Sequence, residues 1–173
     1  QAGDKVCLSG YNGSGKSLLL QILACLLDNY SGSISYNNIS SRNWSKPELH
    51  ILIGDSLSKE DIFEGTVLEN ITLNNPNINF EDVQECTKTL GLSEIIEQMP
   101  LGYDTPLMAE GKDLPKSVKL RIMHARSIVG KPRLILLGDD FNQLKVNDKN
   151  RFIQYLLNST ATVVVTSNDP SVA

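Results

Sequence analysis

The stretch Gly10-Tyr11-Asn12-Gly13-Ser14-Gly15-Lys16-Ser17 decides how this chain folds. It follows Lys5 to Ser9, a short apolar and β-branched run that is typical of a strand. Leucine and isoleucine then recur at helical spacing from Gly15 to Leu27. A strand, a glycine-rich turn and a helix in this order are the setting in which the pattern G-x-x-x-x-G-K-[ST] forms a phosphate-binding loop. The sequence therefore predicts a P-loop protein.

The predicted loop carries the groups that a bound nucleoside triphosphate needs. Backbone N–H groups from Gly13 to Leu18 converge on phosphate oxygens, and the helix N-terminus adds a partial positive charge. Lys16 is expected to bridge the β- and γ-phosphates, and the Ser17 hydroxyl is expected to bind Mg²⁺. The residues predicted to bind nucleotide are Gly10, Asn12, Gly13, Ser14, Gly15, Lys16, Ser17 and Leu18.

The composition excludes several other classes of protein. The 173 residues include 16 Lys and Arg against 20 Asp and Glu, a net charge of −4, and 40% are apolar, which is enough to bury a core. This slightly acidic balance, without a basic run, argues against broad nucleic-acid binding. Leu18 to Leu27, the longest apolar stretch, is shorter than the roughly 20 residues that cross a membrane. The three widely spaced cysteines are expected to be buried thiols.

Strands and helices alternate along the rest of the chain. Continuous apolar or β-branched runs at Leu134–Leu137 and Thr162–Thr166 predict strands buried on both faces, with a helix from about Asn147 to Leu157 between them. His50 to Ile53 is another candidate strand, and Pro115 is expected to be the first residue of a helix that ends at Gly130. This alternation predicts an α/β fold over residues 1–173, with a mainly parallel sheet flanked by helices.

Some polar residues have less specific interpretations. Asn79 and Asp82 have the spacing of a capping box, which predicts a helix from there to about Leu90. Lys116, Lys119 and Arg121 are expected to form a solvated face of the later helix, and the alternative is that Lys116 contacts an anion at the helix N-terminus. His124, which has no partner at ligand spacing, is expected at the surface or in the core with its hydrogen bonds satisfied.

The segments outside the loop separate the classes of P-loop protein. A GTPase would read the guanine base with Asn-Lys-x-Asp after a strand, but the nearest stretch, Asn147 to Asn150, has another order and lies at a helix start. A small-molecule kinase would need an arginine-bearing lid to close over the phosphates. Because the obvious arginines fall on or just after one helix, a kinase remains an alternative without direct support.

Several segments, in the same order, resemble the nucleotide-binding domain of ABC transporters. Ser14 to Leu19 followed by Ser31-Gly32-Ser33-Ile34 resembles the family's Walker A helix and the turn after it. Phe63 to Ile71 is similar to the F-x-G-T-V-x-E-N-I segment of exporter-type domains, and Pro100 to Thr105 is similar to their L-P-x-G-Y-D-T segment. The resemblance covers nearly the whole chain. It implies ATP with Mg²⁺ as cofactors and a helical subdomain, inserted at about residues 55–130, that carries the signature-like segment.

The chain departs from that family where nucleotide is sensed across a dimer and hydrolysed. Leu114 to Val118 reads L-P-K-S-V where the family has L-S-G-G-Q, so the glycines are absent. Gly138 occupies the position of the metal-linked Walker B Asp, and Asp139 occupies that of the catalytic Glu. A register slip of one residue would instead make Asp139 the metal-side carboxylate and Asp140 the base.

Two further switch positions are also altered. Asp55 stands where the family has the Q-loop glutamine, and Asn168 stands where it has the switch histidine. An amide cannot act as acid or base as imidazole does. The resemblance implies Asp139 as the catalytic residue and Ser17, Asp55 and Asp139 as metal-side groups.

The resemblance implies an exporter ATP-binding domain that couples ATP binding, with weak hydrolysis, to transmembrane transport. The expected partners are a transmembrane domain of the same or another chain and a second nucleotide-binding domain, at the cytoplasmic face of a membrane. Whether ATP is hydrolysed stays open, and the alternatives are a binding-only, non-transport module of ABC type or a P-loop kinase. The family's first strands are expected to be missing or upstream, because only nine residues precede Gly10.

Overall fold

The computed structural model describes residues 1–57 and 62–169, and the elements below are those of the described residues. The strands are β1 Lys5–Leu8, β2 Ser35–Tyr36, β3 Ile39–Ser40, β4 Ile53–Asp55, β5 Gly65–Thr66, β6 Pro106–Leu107, β7 Leu134–Leu137 and β8 Thr162–Thr166. The α-helices are α1 Lys16–Leu23, α2 Lys46–Leu52, α3 Val67–Thr72, α4 Phe80–Thr89, α5 Ser93–Glu97, α6 Lys116–Val129 and α7 Val146–Asn158. Short 3₁₀ turns occupy Ser41–Asn43, Gly102–Asp104, Ala109–Gly111 and Asp139–Gln143.

A parallel sheet with the strand order β1-β8-β7-β4 organises the chain. Its register pairs Val6 with Val164, Val163 with Ile135, and Ile135 with Gly54. The strands predicted at Leu134–Leu137 and Thr162–Thr166 are confirmed to the residue. The predicted α/β fold with a mainly parallel sheet is therefore confirmed.

Helices cover both faces of β7, which explains why its sequence is apolar without a break. Ile135 and Leu137 belong to a large core that includes Ile122 and Ala125 of α6. Leu136 points the other way and belongs to a second core with Leu20 of α1. Successive side chains of a strand alternate between faces, so a central strand needs apolar residues at every position.

The backbones of β4 and α6 touch directly at Gly54. A Cβ added at Gly54 would lie only 1.9 Å from the carbonyl oxygen of Ser127 and 2.7 Å from a ring carbon of Pro132. Such a separation is far below any van der Waals contact, so the approach of α6 to β4 depends on the missing side chain.

Asn70 holds the backbone of Phe63 and Thr66, just before α3. Its amide group donates to the carbonyl oxygens of Phe63 (2.9 Å) and Thr66 (3.0 Å), and its Oδ1 accepts from the Phe63 N–H and from Arg126 (2.8 Å). Thr66 caps α3 in a reciprocal capping box with Glu69. Since Asn70 is fully buried, its hydrogen bonds explain why the F-x-G-T-V-x-E-N-I pattern needs an amide at this position.

The sequence prediction is wrong at residues 50–52, which belong to α2 rather than to a strand. Ser45 and Glu48 form a capping box, and Pro47 occupies the first turn of this helix. The strand is confined to Ile53–Asp55.

Pro115 is the N-cap of α6 rather than its first helical residue, with ψ 143°. The expected helix after Asn79 is confirmed as α4, and Asn79 accepts from the Asp82 N–H at 2.8 Å.

Two polar residues of α6 differ from expectation, Arg121 in its burial and His124 in its lack of hydrogen bonds among the described residues. Arg121 does not belong to a solvated face, since its guanidinium donates to Asp148 of α7 at 2.5 Å with both side chains largely buried. His124 is fully buried against Phe152, at 5.3 Å between ring centroids, and neither ring nitrogen has a hydrogen-bond partner among the described residues. Burial lowers the pKa of His124 to about 4.

The thiol prediction holds only for Cys86, because Cys7 and Cys25 are partly exposed. Within the described ranges, no helix combines the length and the apolar character that a membrane crossing requires.

Candidate nucleotide-binding site

The P-loop occupies the carboxyl end of β1 and opens onto empty space. Gly13 and Gly15 adopt the left-handed conformation, with φ 82° and 88°, and Gly15 is the N-cap of α1. A Cβ added at either glycine would meet no atom within 4 Å. The backbone conformation therefore demands glycine, and the space beside it is free for a ligand.

The backbone of the loop presents hydrogen-bond donors at the start of α1. The N–H of Leu19 makes the first helical hydrogen bond, to the carbonyl oxygen of Gly15 at 2.8 Å. The N–H groups of Lys16, Ser17 and Leu18 precede it and have no partner within the helix. These donors, with the positive end of the helix dipole, suit an anionic phosphate.

Lys16 folds back over the loop. Its ammonium donates to the carbonyl oxygens of Gly10 (2.6 Å) and Tyr11 (3.1 Å). Ser17 lies exposed in the first turn of α1, on the open side of the helix. The residues that the sequence predicted for phosphate binding are thus brought together in one loop.

Asn168 connects the end of β8 to this loop. Its side-chain oxygen accepts from the Gly10 N–H at 3.2 Å. One residue earlier, the Ser167 N–H donates to the carbonyl oxygen of Leu8 at the end of β1. Asn168 therefore contacts the first residue of the P-loop directly.

The other candidate groups follow β4 and β7 at the same edge of the sheet. Asp55 is the last residue of β4, and its carboxylate accepts from the Leu57 N–H at 2.9 Å. Asp139 begins the turn after β7 and is exposed, whereas Asp140 is half-buried and has one oxygen fully shielded from solvent. Burial raises the pKa of the Asp140 carboxyl. Parallel sheets place ligands at this edge, so the position suits the metal of a bound nucleotide.

The structure adds residues that the sequence did not identify. Ser56 and Asn142 lie at the same edge, and each has a buried oxygen without a hydrogen-bond partner among residues 1–57 and 62–169. Over the same residues, no group of three His, Cys, Asp or Glu side chains could hold a metal ion. A divalent cation here would therefore need phosphate oxygens as well, which fits a metal that arrives with its nucleotide.

The signature-like segment and the P-loop helix α1 pack against different hydrophobic cores. Leu114 packs against the large core, whereas Leu20 and Ala24 of α1 belong to the second core. Pro115 leaves α6 without a side-chain cap, and Lys116 and Ser117 in its first turn are exposed.

Comparison with known proteins agrees with this geometry. A family model described as "ABC transporter" matches residues 1–142. The lactococcin-A transport/processing ATP-binding protein LcnC of Lactococcus lactis subsp. lactis is 29% identical over 171 residues, which cover 98% of this chain and 24% of the relative. Heavy metal tolerance factor 1 of Caenorhabditis elegans is 34% identical over 137 residues, or 79% of this chain and 17% of the relative.

Among solved structures, a bacterial Atm1-family ABC exporter with ATP bound has the same fold. It matches with a TM-score of 0.86 and 22% identity, over 98% of this chain and 30% of that chain. The fold, the P-loop and the family match define an α/β P-loop nucleotide-binding domain. The chain belongs to the ABC transporter family. It spans about a quarter of LcnC, and the P-loop kinase alternative is not favoured.

Proposed function

We propose that this chain binds ATP with Mg²⁺ through residues 10–18 and couples that binding to transport by a membrane partner. The observation that carries the proposal is the open loop, in which positive-φ glycines leave free space beside N–H donors that have no partner within α1. A bound triphosphate would replace the carbonyl oxygens of Gly10 and Tyr11 as the partner of the Lys16 ammonium. Charge-assisted bonds to phosphate are stronger than these bonds to neutral carbonyl groups.

The metal-side groups in this proposal are Ser17, Asp55 and Asp139. Ser17 is in the first turn of α1, and the two carboxylates follow neighbouring strands at the same edge of the sheet. Asp139 is also the proposed catalytic carboxylate, because its exposed side chain is open to water at this edge. When bound, Mg²⁺ would neutralise charge on the β- and γ-phosphates.

Hydrolysis is proposed to be slow for two reasons. Gly138 supplies no carboxylate immediately after β7, and Asn168 has a side chain that cannot exchange protons at neutral pH. The oxygen of Asn168 is also engaged with the Gly10 N–H. Loss of a positioned acid or base lowers a rate by about 10² to 10⁴. ATP binding, rather than rapid turnover, is therefore the event that we expect this domain to contribute.

The proposed partners are a transmembrane domain and a second nucleotide-binding domain at the cytoplasmic face of a membrane, without nucleic acid. Support comes from relatives that are several times longer and include a transport/processing ATP-binding protein. The proposed helical subdomain of about residues 55–130 contains α3, α4, α5 and α6. Beside it, an open groove of about 530 Å³ is lined in part by Ile51 and Leu73, which are 70% and 56% exposed. These apolar side chains suit contact with a partner.

Calorimetric titration of ATP into the wild-type chain and the Lys16→Ala variant tests the proposal. We expect Lys16→Ala to lose most of the ATP affinity while it keeps its fold, because the hydrogen bonds of the ammonium to described residues go to carbonyl oxygens of its own loop. Lys112→Ala, which removes an exposed lysine in the segment before α6, is the matched control and should bind as wild type does. Equal ATP affinity of Lys16→Ala and wild type would overturn the proposed function.

A further inference from the structure

Three polar atoms at the edge next to the P-loop are buried without partners. They are Ser56 Oγ after β4, and Asp140 Oδ1 and Asn142 Oδ1 in the turn after β7, counted within the described part of the chain. Ser56 is only 7% exposed. A buried polar atom without a hydrogen bond costs about 1–3 kcal/mol, so three at one edge indicate that a polar occupant belongs there.

Hydrogen bonds place these atoms on the P-loop side of the sheet. The Ser56 N–H donates to the carbonyl oxygen of Leu136 in β7, and the Asn142 amide group donates to Ser167 Oγ just after β8. Ser167 in turn donates its N–H to Leu8 at the end of β1, from which the P-loop begins. The three unpaired oxygens therefore follow strands whose carboxyl ends meet at the nucleotide site.

The Asp140 carboxylate borders the space that the side chain of residue 138 would enter. A Cβ added at Gly138 would lie 3.5 Å from Asp140 Oδ1 and 3.5 Å from a methyl group of Leu57. Both distances are ordinary contacts, so this space has room for a side chain. Asp140 thus places a carboxylate beside the position where Gly138 provides none.

We propose that Asp140 supplies the carboxylate for the divalent cation that accompanies the nucleotide, in place of the one that Gly138 lacks. The Ser56 hydroxyl and the Asn142 amide oxygen are neutral oxygen groups at the same edge. Mg²⁺ prefers oxygen ligands and is usually held by one or two carboxylates together with substrate phosphates and water. The inference rests on the proposed ATP binding, and it adds Asp140 to the exposed Asp139 as a metal-side group.

The test compares ATP affinity with Mg²⁺ and with EDTA, by calorimetry on the whole chain. For wild type we expect tighter ATP binding with Mg²⁺ than with EDTA. We call the ratio of the ATP affinity with Mg²⁺ to that with EDTA the gain. In Asp140→Asn this ratio should fall about tenfold or more, because a charge-assisted interaction is lost. With EDTA, Asp140→Asn should bind ATP no more weakly than wild type does. Asp104→Asn, which removes the same charge from an exposed turn packed against α3 and α5, should keep the full gain.

A second variant separates a metal role from a structural role. Gly138→Asp introduced into Asp140→Asn places a carboxylate back in the shared space, where a Cβ fits. We expect this double variant to recover the Mg²⁺-dependent gain, and electron paramagnetic resonance of Mn²⁺ with ATP should show the same loss and recovery. Thermal melting should confirm that all the variants are folded.

The outcomes distinguish this inference from the function on which it rests. If Asp140→Asn showed the same Mg²⁺-dependent increase in ATP affinity as wild type, the proposed role of Asp140 would be overturned, while ATP binding would stand. Recovery of the gain by Gly138→Asp would support that role, and a folded double variant without recovery would count against it. A wild-type chain that binds no ATP under either condition would overturn the proposed function itself.

Discussion

The P-loop and the edge formed after β4 and β7 are neighbours, but they depend on the sequence in different ways. The loop presents backbone N–H groups at the start of α1 and needs glycines at positive φ, whereas the side chain of Tyr11 is 91% exposed. The edge presents side chains, and a glycine at residue 138 provides no carboxylate there. A site built from backbone can therefore stay intact while a neighbouring site built from side chains changes its chemistry.

The largest effect is expected at the edge formed after β4 and β7. Asp139→Asn should lower the residual rate of phosphate release by about a hundredfold, if Asp139 is the remaining base. The rate is measured at saturating ATP and Mg²⁺, so that a change in affinity does not contribute. Asp104→Asn serves again as the charge-matched control. Wild-type turnover in Asp139→Asn would contradict the proposed register of the residues after β7.

An intermediate effect is expected at the loop. Gly15→Ala should lower ATP affinity by about tenfold to a hundredfold, because its Cβ would enter the open space and disturb bonds to phosphate. Its φ of 88° also strains the new residue. Gly32→Ala carries a comparable strain at φ 105°, also with no atom within 4 Å, but lies outside the loop. Calorimetry of both variants separates backbone strain from obstruction of the phosphate space by the new Cβ. Equal losses of ATP affinity in the two variants would attribute the effect to strain alone.

The smallest effect is expected from His124, which tests whether stability can change without a change at either site. Because its folded pKa of about 4 lies below the usual 6.5, the unfolded chain binds the proton more readily between these values. The contribution of His124 to the free energy of unfolding should therefore be constant above about pH 6.5 and decrease as the pH falls towards 4, so the fold becomes less stable. His124→Leu should weaken this decline and stabilise the fold at pH 7 by about 1 kcal/mol, since it removes an unsatisfied buried group.

Thermal melting at pH 7 and pH 5 measures both effects. A gain of about 2–4 °C at pH 7 is expected for a domain of this size. Phe152→Leu provides a control, because it alters the same contact without removing a titratable group. An unchanged slope of stability with pH in His124→Leu would show that other groups cause the decline.

The sequence predicted the parts of the fold that local patterns determine. Apolar runs located β7 and β8 because a strand covered on both faces needs an apolar side chain at every position. The P-loop was recognisable because its glycines are required by backbone conformation. The strand prediction at residues 50–52 is wrong because the capping box at Ser45 starts a helix that continues through these β-branched and apolar residues.

The parts that could not be predicted depend on contacts between distant residues. Arg121 has the appearance of a surface cation in the sequence, and only the approach of α7 provides Asp148 as a buried partner. The position of Asp140 beside Gly138 depends on the 3₁₀ turn at Asp139–Gln143, which returns a side chain towards the preceding strand. No local pattern encodes either contact.

The absent side chain at Gly54 also has a mechanical consequence. Because the backbones of β4 and α6 meet there without an intervening side chain, neither can slide or rotate against the other by adjusting a rotamer. This contact joins α6, which begins at the exposed Lys116, to β4, which ends at Asp55. The relative position of the first turn of α6 and the last residue of β4 therefore depends on residue 54 having no side chain.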